Sequence, residues 1–484
     1  MSGPALLSTA AGFGAALLIG MGLAAAQTAP DPAPAAAAPA ERQTPVLAQT
    51  GTGTGAAKTA GILQRDKVLG TLGGVRTKLE EYGVTLGLTE ASEVLGNVTG
   101  GRATGLVYEG LTTASLDFDL EKSIGLSGGT ARVSALQIHG RGLSSNYVDN
   151  LNVTSSIEAT RATRLFEFWY QQSFLGGRVD VRLGQQSADP EFATSSYAGL
   201  FINSSFGWPT SSAVNLPAGG PAYPLAALGA RLRVKPIDPV TVLLGVFNGS
   251  PSKIGAGDPQ GRRNPSGTAF RLNDGVFVIG EAQYATNKGE GATGLPGTYK
   301  LGAWYNSNAF TNQFFTGSAV DAAAPGAISP RSAQGDWSIY AVADQLVWRA
   351  ADVKDGGVGV FARAAGSPGD RNLINVFVDA GVTYNGIFGR DNDTLGLGVG
   401  WARISDTTRA ADRATRLLTN LYTPTRSSEV ILELTYQAQL IPSVQVQPVF
   451  QYVVRPGGSV PNPDHPERRL GDAAILGVRS TLTF

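Results

Sequence analysis

The sequence predicts an all-β fold: a transmembrane antiparallel β-barrel of about 16 strands with a short N-terminal amphipathic helix. The first observation is an alternation of apolar and polar residues with a period of two, which recurs from residue 84 to the C-terminus. The second is a composition of 63 Gly and 16% charged residues in a chain of 484, which is poor in charge for a soluble protein. The third is the closing stretch GDAAILGVRSTLTF, which alternates up to the last residue, Phe484.

The N-terminal stretch AAGFGAALLIGMGLAAAQ has the pattern of a cleaved signal peptide. Its apolar part, residues 10–23, is shorter than the roughly 20 residues of a spanning helix. The alanines at 24–26 form an A-x-A cleavage site, so residues 1–26 are expected to be removed on export. Residues 27–61 are mainly Ala, Pro, Thr and Gly, a composition that predicts a disordered periplasmic segment.

Residues 62–82 predict one amphipathic helix ahead of the first strand. Val68, Leu72, Val75 and Leu79 are spaced by three or four residues, which places them on one face of a helix. Glycines within the segment weaken it as an isolated helix, so we expect the apolar face to dock on the barrel.

From residue 83 to 484 the chain is predicted to form the barrel itself, because strand-length runs recur between clusters of Gly, Asn, Asp and Pro. Many runs reach the roughly 9 to 11 residues of a tilted spanning strand. A segment near residues 188–222, rich in Ser, Asn, Pro and aromatic residues, is expected to fold into the pore. The predicted strands are 84–96, 107–120, 129–139, 163–174, 177–187, 224–234, 240–248, 276–285, 297–306, 336–348, 357–366, 374–386, 394–403, 429–438, 444–454 and 472–484.

The face opposite the apolar one distinguishes a barrel from a soluble β-sandwich, because a sandwich turns its apolar faces inward and a membrane barrel turns them toward lipid. In LFEFWYQQSF the aromatic residues Phe166, Phe168 and Tyr170 share one face. Glu167 and Trp169 lie on the other face. Such polar faces, a signal peptide and a last strand able to close the sheet together favour a barrel with a wet lumen.

Charge and residue usage exclude several classes of function. The chain has 38 basic and 38 acidic residues, so no overall field favours nucleic acid. It has no cysteine and only two histidines, His139 and His465, so neither a metal site nor a cofactor is expected. A hydrolase would need one of these histidines beside a serine and an acid, and no such spacing is evident, so we do not expect an enzyme.

A series of longer stretches carries a family resemblance. They include LGTLGGVRTKLEEYGVTLGLTEASEVLGNVTGG, FEFWYQQSF, RLGQQSADPEFATSSYAGLFINSSFGWP, NGIFGRDNDTLGLGV, LELTYQAQLIPSVQVQPVFQYVVRPGG and LGVRSTLTF. With further matches they cover most of residues 70–484, and the chain resembles the OprB-like carbohydrate-selective porins of Gram-negative outer membranes. The resemblance implies a sixteen-stranded barrel, an N-terminal helical segment and passive diffusion of glucose and other sugars.

Selection of a sugar requires partners for its hydroxyls and a flat apolar surface for its C–H face. Strand phase places charges of both signs and one tryptophan in the lumen, and the segment near 188–222 adds an amide. The candidate substrate-binding residues are therefore Glu93, Asp117, Asp119, Glu167, Trp169, Arg182, Asn203, Arg231 and Arg233. Phe206 and Trp208 are candidates to line the constriction that this segment would form in the pore. The alternative for the charges is a network of ion pairs that stiffens the wall, and for Trp169 it is packing under an infolded loop.

The predicted function is an outer-membrane porin for passive, carbohydrate-selective diffusion of glucose and similar small sugars. The alternative is a general or weakly anion-selective porin, which Arg182, Arg231 and Arg233 favour and the nearby carboxylates oppose. The expected partners are small sugars, outer-membrane lipids and, through Phe484, the barrel-assembly machinery. The protein is expected in the outer membrane of a Gram-negative bacterium, as a monomer or a homotrimer.

Overall fold

The computed structural model describes residues 62–255, 258–288, 293–315, 331–350, 353, 356–420 and 422–484. The predicted signal peptide and periplasmic segment lie outside these residues. Within them, sixteen strands form one closed barrel: β1 (Val84–Gly101), β2 (Gly105–Asp119), β3 (Gly129–Gly140), β4 (Ala162–Phe174), β5 (Val179–Gln186), β6 (Ala227–Val234), β7 (Val240–Asn248), β8 (Val276–Thr286), β9 (Gly297–Thr311), β10 (Ser332–Arg349), β11 (Gly357–Gly366), β12 (Ile374–Asn385), β13 (Thr394–Ile404), β14 (Ser428–Ile441), β15 (Val444–Val454) and β16 (Gly471–Thr483). The same residues contain the helices α1 (Val75–Glu81), α2 (Leu120–Ile124), α3 (Thr210–Asn215) and α4 (Asp406–Thr419). None of these helices is long and apolar enough to cross a membrane.

The barrel closes where its first strand meets its last. Every strand pairs antiparallel with its neighbours in sequence, and β1 also pairs with β16. Glu93 of β1 lies opposite Arg479 of β16, and their side chains form a buried ion pair inside the barrel. The backbone N–H of Phe484 donates to Leu88 O at 2.9 Å. The predicted closed barrel is confirmed, and within the described residues its closure leaves the sheet without an edge strand.

The period of two turns large apolar side chains outward and charged side chains inward. Leu244 of β7 and Leu301 of β9 are exposed on the outer surface, whereas Asp344 of β10 and Arg363 of β11 are buried inside. An apolar outside with a polar inside is the arrangement of an outer-membrane barrel.

One predicted side-chain direction is wrong. The pairing of β3 with β4 shifts register between Val133 and Ala135. This irregularity turns Phe166 inward, where it is buried, while Phe168 stays exposed on the outside. An extra residue in one strand interrupts the period of two, which sequence alternation alone does not reveal.

The two ends of the barrel differ in the length of their connections. At the end that holds Phe484 the turns are short, such as 175–178 and 442–443. At the opposite end most are long, apart from 102–104 between β1 and β2, and the longest, 187–226, joins β5 to β6. Outer-membrane barrels have short periplasmic turns and longer external loops, so the long connections lie on the outer side.

The N-terminal helix is shorter than expected, and its apolar stripe is only partly covered: Val68, Leu72 and Leu79 are half-buried. α1 covers only Val75–Glu81, because Gly73 and Gly74 before it have left-handed φ values of 67° and 95°. Its first residue is 54% exposed. The segment reaches the barrel through its backbone, where Val68 N–H donates to Thr483 O at 2.8 Å.

Candidate functional site in the barrel lumen

The connection between β5 and β6 folds into the lumen, and we call residues 187–226 the pore loop. The backbone N–H groups of Ile202 and Asn203 donate to the two carboxylate oxygens of Glu433 at 2.7 and 2.8 Å. Glu433 belongs to β14, which lies across the barrel from β5 in the strand order. The pore loop therefore crosses the barrel interior.

Charged side chains on the wall from β8 to β15 hold the backbone of the pore loop. Asp344 accepts from the Ser195 hydroxyl at 2.5 Å and from Ser196 N–H at 2.7 Å. Arg363 pairs with Asp379 and donates to three pore-loop carbonyls at 2.7 to 3.0 Å. Hydrogen bonds to charged groups contribute about 1.5 to 3 kcal/mol each, so these contacts fix the path of the loop.

Glycines on the inner face of β13 make room for the apolar part of the pore loop. A Cβ at Gly398 would lie 2.8 Å from the ring of Phe206 and 2.9 Å from that of Phe201. A Cβ at Gly396 would lie 2.5 Å from a methyl carbon of Leu200. The loop therefore packs directly on the strand backbone, which only glycine permits at this distance.

The connection 141–161 between β3 and β4 packs beside the pore loop. Ser156 N–H donates to Ile202 O at 2.7 Å, and Ser144 donates to Glu158 from its N–H and its hydroxyl. Burial raises the pKa of Glu158. In the pore loop itself, burial raises the pKa of Asp189 to about 7. Each inserted connection therefore contains a carboxyl whose charged form is disfavoured by burial.

The wall from β2 to β6 carries a different set of charges, which we call the charged ladder. Its members are Arg132, Arg182, Arg231 and Arg233, the acids Asp117, Glu167, Asp180 and Glu191, and the neutral residues Trp169 and Gln171. Glu191 comes from the pore loop, and the others come from strands. The ladder contains four arginines and four acids, so its formal charges balance.

Arg182 and Trp169 are at the centre of the ladder. The guanidinium carbon of Arg182 lies 4.0 Å from the centre of the Trp169 ring, a cation–π contact. Arg182 also reaches Glu191 at 2.9 Å and Gln171 Oε1 at 3.1 Å. A second guanidinium, that of Arg132, lies 5.8 Å from the same ring. The tryptophan therefore fixes the position of cations along the wall.

The remaining members extend the ladder to both sides. The buried carboxylate of Asp180 pairs with Arg231 and with Arg233. Arg231 also contacts Glu191, at 2.8 Å. On the other side, Arg132 Nε lies 2.5 Å from an oxygen of Asp117. Each charge thus has a partner of opposite sign.

The two walls differ in their access to solvent. On the loop-bound wall the side chains of Asp344, Arg363 and Glu433 are at most 3% exposed. In the ladder the side chains of Asp117 and Arg132 are 31% and 28% exposed. Arg233 and Glu191 are also partly exposed. Glu167, Asp180 and Arg231 of the ladder are at most 8% exposed, so its accessible charges are Asp117, Arg132, Arg233 and Glu191.

The structure brings most of the predicted site residues together. Those in the ladder are Asp117, Glu167, Trp169, Arg182, Arg231 and Arg233. Trp169 is only 4% exposed, and one face of its ring lies under Arg182. The ring therefore does not offer a solute the open face that stacking on a sugar requires.

Three predicted residues are committed to other contacts. Glu93 is fully buried against Arg479. Asp119 caps α2 at the short-turn end of the barrel and accepts from two backbone N–H groups at 3.1 and 3.2 Å. Asn203 is fully buried and caps a short helical turn of the pore loop. Glu93 and Asn203 are therefore closed to a solute, whereas Asp119 stays partly exposed at the barrel end.

The two aromatic candidates of the constriction also have structural contacts. Phe206 is buried against Phe201 and Phe361. The indole N–H of Trp208 donates to Gly219 O at 3.1 Å. Both residues stabilise the pore loop.

Four members of the ladder were not among the candidates: Arg132, Gln171, Asp180 and Glu191. Arg132, Gln171 and Asp180 share the inward strand phase of their candidate neighbours, so phase alone signals them. Glu191 lies in a loop, where no periodicity applies.

The histidines do not contribute to this site. His139 is on the outer face of β3, and His465 lies in an exposed connection. Across the described ranges, no group of three or more His, Cys, Asp or Glu side chains could hold a metal ion.

Comparisons with known proteins agree with this architecture. The profile of a family described as "Carbohydrate-selective porin, OprB family" matches residues 103–484. Porin B of Pseudomonas aeruginosa is 26% identical over 440 residues, covering 86% of this chain and 91% of its own. The putative porin QuiX of Acinetobacter baylyi is 24% identical over 446 residues, covering 87% and 93%. The high-pH structure of Pseudomonas putida OprB, 20% identical, superimposes with a TM-score of 0.74 over 88% of this chain and 100% of that one.

Proposed function

The chain belongs to the OprB family of carbohydrate-selective porins, and we propose that its charged ladder is the part of the lumen that selects sugar. The protein is a sugar-selective channel of the Gram-negative outer membrane and not an enzyme. Within the family fold, the observation that carries the proposal is a wall of paired charges, some of them partly exposed, across the barrel from the wall that binds the pore loop.

The balance of charge in the ladder suits a neutral solute with many hydroxyls. A hydroxyl both donates and accepts, so a sugar can bond to an arginine and to a carboxylate at once. An anion would be attracted by Arg132 but repelled by Asp117 at 2.5 Å from it. The paired charges therefore favour a neutral polyol over an ion of either sign.

Pairing also keeps the binding of the solute weak, as passage through a channel requires. The charges that a sugar would contact are already neutralised by each other, so a sugar replaces water and leaves the ion pairs in place. Trp169 acts in this proposal as a positioning residue, because its ring holds Arg182 at 4.0 Å. Glucose and similar small sugars are the solutes that we propose.

The test is solute flux into liposomes that contain the refolded full chain. Glucose is compared with a size-matched amino acid and with a disaccharide, in the wild type and in a double variant with Asp117→Asn and Arg132→Gln. The matched control is Arg426→Gln, which breaks an arginine–aspartate pair with Asp412 in the external connection 405–427. We expect the preference for glucose to fall severalfold, by up to about tenfold, in the double variant and to persist in the control.

A general or weakly anion-selective pore is the competing function, and the four arginines are the observation that favours it. It predicts that solutes enter in order of size alone and that the double variant changes ion selectivity without changing the glucose ratio. Either result would overturn the role of the ladder in sugar selection.

We also propose that residues 1–26 are cleaved on export and that Phe484 is a recognition element for barrel assembly. The hydrogen bond from Phe484 N–H to Leu88 O supports the role of Phe484, because it places the last residue where β16 pairs with β1 to close the barrel. Phe484→Ala is expected to lower the amount of assembled barrel in the outer membrane, with Phe174→Ala, at the short-turn end of β4, as the control. Mass spectrometry of the purified protein would locate the mature N-terminus.

A further inference from the structure

The charged ladder contains one uncharged amide, Gln171, whose surroundings differ from those of its neighbours. Gln171 lies on the inward phase of β4, opposite Arg182 of β5 and two residues after Trp169. Its side chain is half-buried, whereas Trp169 and Arg182 are at most 7% exposed. Part of the Gln171 side chain therefore faces the water of the lumen.

Two arginines hold the oxygen of the Gln171 amide. Arg182 Nε donates to Gln171 Oε1 at 3.1 Å, and Arg231 Nη2 donates to the same oxygen at 2.8 Å. A guanidinium group can only donate, so the amide atom between the two arginines is the oxygen and not the nitrogen. These two bonds fix the orientation of the amide.

The same two arginines share a second acceptor, which comes from the pore loop. Arg182 Nη1 and Arg231 Nη2 both lie 2.9 Å from Glu191 Oε1. Glu191 supplies a negative charge between two adjacent guanidinium groups, and Gln171 adds an acceptor oxygen without further charge. A carboxylate at position 171 could accept the same two bonds, so the contacts with the arginines alone do not require an amide.

The NH2 group of Gln171 is open to the lumen. Among the described residues, none accepts a hydrogen bond from Gln171 Nε2, and this nitrogen is not one of the buried polar atoms that lack a partner. Glu191, which shares both arginines with Gln171, is also accessible, with 22% of its side chain exposed. A positioned donor and a carboxylate therefore lie close together on the lumen side of the ladder.

We propose that Gln171 determines part of the specificity for sugar: its NH2 group donates a hydrogen bond to an oxygen of the passing sugar. The inference rests on the proposed role of the charged ladder, and it names the atom that makes the contact. A sugar hydroxyl can accept from Gln171 and donate to Glu191 at the same time. A single bond from a neutral donor is weak enough for the solute to leave, as a channel requires.

The test uses two substitutions at position 171 in the refolded full chain. Gln171→Glu keeps an oxygen between the two arginines and removes the NH2 donor, whereas Gln171→Met removes both. Gln445→Glu is the control for the added negative charge in the lumen, because Gln445 lies on the inward phase of β15, outside the ladder. Heat-modifiable migration in gels shows whether each variant forms the barrel.

Flux into liposomes is measured for glucose and for the monodeoxyglucoses, each of which lacks one hydroxyl. In the wild type we expect glucose to enter about 2 to 10 times faster than the deoxyglucose without the contacted hydroxyl, the range for one neutral hydrogen bond. Gln171→Glu should abolish this difference, and Gln445→Glu should retain it. Such a coupling between one residue and one hydroxyl indicates direct contact, which a role in barrel structure alone would not produce.

Three results would overturn the inference. They are a wild type that admits glucose and every deoxyglucose at the same rate, a difference that survives in Gln171→Glu, and a difference that is lost only in Gln171→Met. The last result would mean that the amide acts solely by holding the arginines. If the wild type still prefers glucose to a size-matched amino acid, the proposed function stands without this contact; if that preference is absent, both are overturned.

Discussion

The two sides of the lumen carry the same kind of residue and use it differently. On the wall from β8 to β15, inward charges such as Glu433 and Arg363 bind the backbone of the pore loop and are buried. On the wall from β2 to β6, inward charges such as Arg132 and Asp117 bind each other and stay partly exposed. An inward charge in a barrel is therefore not in itself a sign of solute contact.

What distinguishes the two walls is the path of the pore loop. Buried backbone N–H and carbonyl groups must find partners, and the loop carries many of them into the interior. The wall that it touches supplies carboxylates and a guanidinium for this purpose. The loop also touches the β2–β6 wall, through Glu191 and Ser187, but it leaves Asp117 and Arg132 partly exposed there, so selection can take place at this wall.

Loss of Arg363 is expected to produce the largest change. Arg363→Met removes three bonds to the pore loop and leaves Asp379 buried without its cation, which costs about 3 to 5 kcal/mol when one partner of a buried pair is removed. We expect a higher single-channel conductance and entry of larger solutes. Arg426→Met, at an external ion pair with Asp412, is the control and should conduct like the wild type. An unchanged conductance in a folded Arg363→Met barrel would show that the loop does not depend on this anchor.

Filling the space on β13 is expected to displace the loop by a different route. Gly398→Val places carbon atoms where the rings of Phe201 and Phe206 lie, and overpacking of this kind costs about 1 to 3 kcal/mol. Conductance should rise, by less than in Arg363→Met. Gly366→Ala is the matched control, because a Cβ there meets nothing within 4 Å. A wild-type conductance in both variants would argue against close packing of the loop.

On the ladder wall, Trp169→Ala is expected to change selectivity with little change in conductance. Arg182 loses its cation–π contact, which contributes about 0.5 to 2 kcal/mol. The glucose preference in liposome flux should fall severalfold, and Trp169→Phe should retain part of it. If Phe and Ala have the same effect, the ring face does not position Arg182.

The smallest expected effect is a pH dependence from Asp189 in the pore loop. Its folded pKa of about 7 is raised by burial above an unfolded value of about 4, so the folded protein prefers the protonated carboxyl. Its contribution to stability is therefore greatest at low pH and is lost as pH rises from about 4 to about 7. The difference in melting temperature between the wild type and Asp189→Asn should change across this window. A constant difference would place the pKa outside it.

The sequence predicts the barrel well because its signals are local. Alternation reports which face each residue takes, and the ranges proposed for β11 and β15 coincide with Gly357–Gly366 and Val444–Val454. The irregularity beside Phe166 escapes this reasoning, because it interrupts the period without a glycine or proline to mark it. The N-terminal helix is overestimated for the opposite reason: left-handed glycines outweigh an apolar spacing.

The candidate site was harder to predict, because burial inside the lumen depends on contacts distant in sequence. Glu93 and Arg182 have the same strand phase, yet only Arg182 belongs to the ladder. One local signal was available: Gly396 and Gly398 fall on the inward phase of β13, and inward glycines indicate close packing by another segment. Which segment packs there is decided by the course of the pore loop, which no periodicity describes.

The most direct test of the division between the two walls is a paired measurement in the same liposomes. Conductance and the glucose-to-amino-acid flux ratio are recorded for the wild type, for Arg363→Met and for Asp117→Asn combined with Arg132→Gln. We predict that Arg363→Met raises conductance, and that the ladder variant lowers the flux ratio at nearly unchanged conductance. If the ladder variant keeps the wild-type flux ratio, or if it alters conductance as strongly as Arg363→Met does, the two walls do not have separate roles.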